Sequence, residues 1–178
     1  MTTAIGFKDV FLVSPMIFLF ILSLVPITIK VLRGNVELAP SATLLLGLFG
    51  IFGAGLLLQT IGSYQITAFE KALVFDGLTK WLGLLALAAA AGSLLLAFDN
   101  PSTNGEQFSE LVFLTLNSVS GMLILFAAYV LLSVFVGLET MSLCLYLMIA
   151  MSNEQKRSKE AAFKYFILGS FASAIFLY

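Results

Sequence analysis

From Leu111 to Met151 the chain runs for about forty residues with a single charged side chain, Glu139. As one helix this segment would reach about 60 Å, twice the roughly 30 Å hydrocarbon core of a bilayer. Lipid satisfies no backbone polar groups, so the run has to be two helices folded back on each other. Neither proline nor charge marks the reversal, and the middle of the run places it around Tyr129–Val130. The segment therefore predicts two spans, over about 111–128 and 131–151.

Four further apolar runs accompany these two. The first covers about 10–29, carries Pro15 and Pro26, which can kink a membrane helix, and ends at Lys30 and Arg33. It is longer than the apolar core of a signal peptide and no small-residue cleavage pattern follows it, so a retained helix is expected. The second, about 41–58, is glycine-rich, and Gly50 with Ala54 forms a small-xxx-small pair suited to close helix contact. The third, about 81–98, opens on Trp81 at the water–lipid boundary and closes on Asp99-Asn100-Pro101. The sixth run starts near Glu160 and continues to Tyr178. Residues 60–80 hold Glu70, Lys71, Asp76 and Lys80 and are expected to form a loop lying partly in the interface. With 60% hydrophobic and 11% charged residues, against about 45–50% and 25% in a soluble domain, lipid is the solvent for most of the chain. The expected fold is all-α: residues 1–178 form one polytopic membrane region of about six transmembrane helices.

Charge orients the bundle. The connections after spans one, three and five share a side and hold Lys30, Arg33, Lys156, Arg157 and Lys159, whereas Lys8, Lys71 and Lys80 lie on the other. By the positive-inside rule the first group is cytoplasmic and the N-terminus outside.

The same composition narrows the function. A net charge of −1 supplies no basic stripe, so nucleic acid is not an expected partner. One cysteine, Cys144, and no histidine exclude a disulfide framework and the usual ligand sets for zinc, haem or an iron–sulfur cluster. No cofactor is therefore expected in the chain. It has no glycine-rich phosphate loop, no Ser/His/Asp set and no paired carboxylates at catalytic spacing, which leaves proton movement as the available chemistry.

Two residues are candidates for it. Glu139 lies near the middle of span five, where an ionised carboxylate costs about 2.5–3.5 kcal/mol on insertion scales. At 100° per residue, Ser142 and Tyr146 share its face, so span five carries one narrow polar stripe. A protonated Glu139 bonded to a neighbouring helix is the competing structural role. Lys164 lies about one turn inside span six, four residues after Glu160, the favoured order for a helical ion pair. Its flexible stem can equally carry the ammonium to the headgroups. On span four, Asn117, Ser118 and Gly121 share an arc of about 100°, suited to helix packing or to a neighbouring hydrated path.

Several of these residues stand in motifs. Gly137-Leu138-Glu139-Thr140-Met141-Ser142-Leu143 with Tyr146, and Glu160-Ala161-Ala162-Phe163-Lys164-Tyr165-Phe166 with Gly169-Ser170, resemble segments of the antiporter-like subunits of respiratory complex I. The resemblance is to the subunit called N in bacteria and subunit 2 in mitochondria. Val74-Phe75-Asp76-Gly77 is similar to the stretch before that family's third helix. One departure is Val130, which stands where relatives often carry an acidic residue. The resemblance implies the opening part of a longer bundle with inverted repeats and broken helices. It implies a proton-translocating subunit of NADH-quinone oxidoreductase in the bacterial inner membrane, with other membrane subunits of complex I and the lipid bilayer as partners. NADH and quinone would be used elsewhere in the complex. Glu139 would be half of a Glu–Lys pair whose lysine lies on a later helix, and Lys164 a group on the proton path. A sodium/proton antiporter subunit and the membrane subunit of a hydrogenase complex share this fold and stay open as alternatives, as does a purely structural membrane subunit.

Overall fold

The computed structural model describes residues 6–34, 36, 38–61, 65–99, 107–151 and 156–178, leaving out the Lys156 side chain. The expected Asn100-Pro101 turn and residues 152–155 of the basic connection lie outside the described residues. In chain order the elements are α1 (Phe7–Leu12), α2 (Ser14–Leu32), α3 (Pro40–Thr60), β1 (Ile66–Ala68), β2 (Leu73–Phe75), α4 (Gly77–Asp99), α5 (Phe108–Ala127), α6 (Leu131–Ala150) and α7 (Lys156–Leu177). Six of the helices, α2 to α7, are long and apolar enough to cross a membrane.

Three local features differ from the sequence reading. The first apolar run is broken at Val13 (φ −92°, ψ 2°), so Pro15 falls in the first turn of α2 rather than inside a longer helix. There its missing N–H costs nothing, because first-turn donors have no intrahelical partner; Pro26 alone is interior. Next, the 60–80 connection contains an antiparallel hairpin, with Ile66 opposite Phe75, Thr67 opposite Val74 and Ala68 opposite Leu73. Its turn holds Phe69, Glu70 and Lys71 at φ 51°, 54° and 73°, a left-handed run of non-glycine residues that nothing in the composition announces. Finally, α7 starts at Lys156, because Lys and Arg are good helix formers and no breaker intervenes. Those charges therefore do not mark the helix end.

The bonds at helix ends sort into two layers. On one side, the Phe69 N–H donates to Asp9 Oδ1 (3.2 Å), Lys80 Nζ to the Gln59 carbonyl (3.2 Å) and Thr79 Oγ1 to the Phe126 carbonyl (3.1 Å). The Tyr129 N–H donates to the Ala72 carbonyl at 3.1 Å, so the hairpin also holds the α5–α6 connection. On the opposite side Lys30, in the last turn of α2, bonds Glu110, in the first turn of α5, at 2.6 Å. The bundle thus alternates up and down as successive membrane crossings require.

At the centre is α5, which packs on α2, α3, α4 and α6. Phe108, Val112, Leu116, Val119 and Leu123 are all buried along it. In lipid such packing gains dispersion contacts rather than release of water, so close approach and interhelical hydrogen bonds decide the arrangement.

Candidate functional site

Glu139 sits midway along α6, half-buried. What brings α6 against α5 is a pair of glycines. A Cβ at Gly121 would lie 2.7 Å from the Met141 nitrogen and 3.0 Å from the Gly137 carbonyl, and a Cβ at Gly137 would lie 2.8 Å from the Leu125 nitrogen. Backbone meets backbone here, and no larger residue fits without moving a helix. Gly137 is two residues before Glu139, so this contact fixes the depth and rotation of the carboxylate.

The carboxylate itself turns toward α7, where the Ser173 hydroxyl donates a hydrogen bond to Glu139 Oε1. Two turns along the same seam, Tyr146 packs edge-on against Phe166 (ring centroids 6.1 Å apart) and beside Tyr165 (6.2 Å). Its hydroxyl lies directly over Gly169, in the space a Cβ would take. The stripe of Glu139 and Tyr146 expected on one face of α6 therefore faces α7, in an antiparallel register that sets 139 against 173 and 146 against 166.

Lys164 is placed elsewhere. It pairs with Glu160 at 2.6 Å, and both side chains are about two-thirds exposed, at 69% and 64%. Because α7 begins at Lys156, Lys164 is about 12 Å along its helix. The 139–173 register separates it from Glu139 by about 13 Å along the axis. The structure does not bring the two candidates together.

The polar residues of α5 also divide. Asn117 points at α2, donating to Ser23 Oγ (2.9 Å) and to its own helix at the Phe113 carbonyl (2.8 Å). Ser120 donates to the Met16 carbonyl of α2 at 3.2 Å. Gly121 instead meets α6, and the Ser118 hydroxyl is buried with no hydrogen-bond partner among the described residues.

Sequence reasoning missed Ser173 and the Lys30–Glu110 pair. A serine in a run of apolar and small residues carries no local signal, and two charges 80 positions apart show no periodic relation. Among the described residues, no three His, Cys, Asp or Glu side chains converge to hold a metal. What meets at the α6–α7 seam is a carboxylate and a hydroxyl, groups that can hold or pass a proton.

The family described as the transmembrane region of NADH:quinone oxidoreductases and Mrp antiporters matches residues 128–178, which include α6 and α7. NADH-quinone oxidoreductase subunit N of Bdellovibrio bacteriovorus is 60% identical over all 178 residues of the chain. Over its whole length the chain is thus similar to this subunit. It spans 37% of that relative's length. The subunit N of Granulibacter bethesdensis is 34% identical over 168 residues, 94% of this chain and 34% of the relative. In structure the chain is similar to respiratory complex I from Thermus thermophilus with bound aureothin, at a TM-score of 0.74 and 27% identity. That match covers 92% of this chain and 35% of the other. The family places α6, with Glu139, and α7, with Ser173 and Lys164, in the part that its transmembrane model describes.

Proposed function

We propose that this chain forms part of a proton-translocating membrane subunit of NADH-quinone oxidoreductase, a multi-pass protein of the bacterial inner membrane. In this reading it couples quinone reduction in neighbouring subunits to proton transport through protonation changes at Glu139. NADH and quinone are used by the complex, and this chain carries no redox centre. The observation that supports the reading most is the placement of Glu139: midway along a membrane-length helix, fixed by a glycine–glycine contact and bonded to a side-chain hydroxyl.

Moving one charge against 100 mV costs about 2.3 kcal/mol. A site that takes up a proton on one side and releases it on the other has to change its affinity by a comparable amount. A carboxylate in an apolar span can do so, because desolvation favours its neutral form and an approaching cation or donor favours its charged form. Lys164, paired with Glu160 one turn before it, is assigned a relay role.

The test is proton pumping per electron in membranes carrying Glu139→Gln or Lys164→Ala in the complete subunit, with assembly checked by subunit abundance. Glu139→Gln is expected to abolish most pumping and Lys164→Ala to reduce it less. Equal defects, or a larger one for Lys164→Ala, would reverse the two roles. Pumping that needs sodium would move the chain to the antiporter reading that the family description also contains.

A further inference from the structure

Resting on that reading of Glu139, we propose that Ser173 is a positioning residue that holds the Glu139 side chain against α7 in both of its protonation states. Ser173 lies on α7 four residues after Gly169, so the two share a helix face. That face meets α6. Gly169 leaves the space that the Tyr146 hydroxyl occupies, which lets the helices approach, and one turn further Ser173 reaches the carboxylate. Ser173 is half-buried on a helix whose neighbouring side chains are mostly exposed, so its hydroxyl is turned into the seam.

The residue type matters as much as the place. A hydroxyl has one donor and two lone pairs and rotates freely about its C–O bond. It donates to the carboxylate and, after rotation, accepts from the protonated acid, so Glu139 has a partner before and after the change. A lysine or arginine there would favour the anion alone, and an apolar residue would offer neither form of the carboxyl a hydrogen bond from α7. Threonine keeps the hydroxyl and its geometry, whereas alanine removes both donor and acceptor.

The experiment uses the complete subunit in the assembled complex in native membranes. Redox-induced infrared difference spectra report carboxyl groups that change state, and the band missing in Glu139→Gln identifies Glu139. Ser173→Ala is expected to shift that band and to lower protons pumped per electron at unchanged electron transfer. Ser173→Thr should restore both. Ser173→Cys, close to serine in volume but a weak hydrogen-bond donor, serves in place of alanine if Ser173→Ala fails to assemble, and the same band shift is expected of it. A Glu139 band left unmoved by the loss of the hydroxyl overturns the proposal, whatever happens to pumping. A spectrum with no Glu139-dependent band overturns both this proposal and protonation switching at Glu139. Full pumping in Glu139→Gln overturns the functional reading by itself, because the position of the band still reports whether Ser173 bonds the carboxyl.

Discussion

Gly137→Ala and Gly92→Ala make the same chemical change in two helices and are expected to have opposite effects. At Gly92 nothing lies within 4 Å of the added methyl, so the helix gains the intrinsic preference for Ala over Gly, about 0.8–1.0 kcal/mol. At Gly137 the methyl would sit 2.8 Å from the Leu125 nitrogen and 3.0 Å from both the Gly121 oxygen and the Leu125 Cα, where ordinary contact begins at 3.4 Å. All three atoms are backbone of α5, which α2, α3 and α4 hold from its other sides. No side chain can swing away, so α6 has to retreat by about half an ångström, at the roughly 1–3 kcal/mol of an overpacked core. The propensity gain is common to both variants and cancels in their difference, leaving Gly137→Ala less stable than Gly92→Ala by about 1–3 kcal/mol. The retreat also carries Glu139, and displacements near 1 Å at a reacting group cost rates of the order of 100-fold. The assay pairs the unfolding midpoint of the complete subunit in detergent with its proton pumping in membranes. Equal stability and equal pumping in the two variants would refute the backbone contact as the feature that sets the position of Glu139.

The two end layers and the α2–α5 seam give further expectations. Reversing either charge of the Lys30–Glu110 pair, whose side chains are 17% and 35% exposed, should destabilise the bundle by about 1 kcal/mol. The double reversal should recover most of that, as read from unfolding midpoints in a double-mutant cycle. Asn117→Leu removes the bonds to Ser23 and Phe113 and should cost about 0.6–1.7 kcal/mol in the same assay. Asp76 accepts from the Thr79 N–H at 2.8 Å, and the Thr79 hydrogen bonds hold its carboxyl below the ordinary value of 3.8. Its capping contribution, about 1 kcal/mol, is therefore full above that ordinary value and is lost as the pH falls through the lower folded one. Asp76→Ala should lose it at all pH values and flatten the acid limb of a stability-against-pH curve.

How much of this was legible depended on whether the signal was local. Six apolar helices follow from run length against bilayer thickness, and the unmarked reversal of the long fourth-and-fifth run falls at Ala128–Val130, between α5 and α6, because two helices of equal length divide it near its middle. The face shared by Glu139 and Tyr146 follows from helical period alone. The partners across the seam could not be read. Ser173, Ser23 and Met16 meet their partners through tertiary register, and no pattern in one chain segment encodes the offset between two antiparallel helices. The hairpin escaped notice because its strands are three residues long and its turn uses Phe69, Glu70 and Lys71 where glycine or asparagine would have announced it.

The central helix separates two kinds of polarity. Toward α2 it makes fixed rungs: Lys30 with Glu110, Ser23 with Asn117 and the Met16 carbonyl with Ser120. Lys30, Ser23 and Met16 are spaced by seven residues, so they line one stripe of α2 along nearly its whole length. Toward α6 the same helix offers glycine backbone, with no side chain that can change rotamer at the closest point. A change of charge on Glu139 therefore meets a rigid wall on the α5 side and a rotatable hydroxyl on the α7 side.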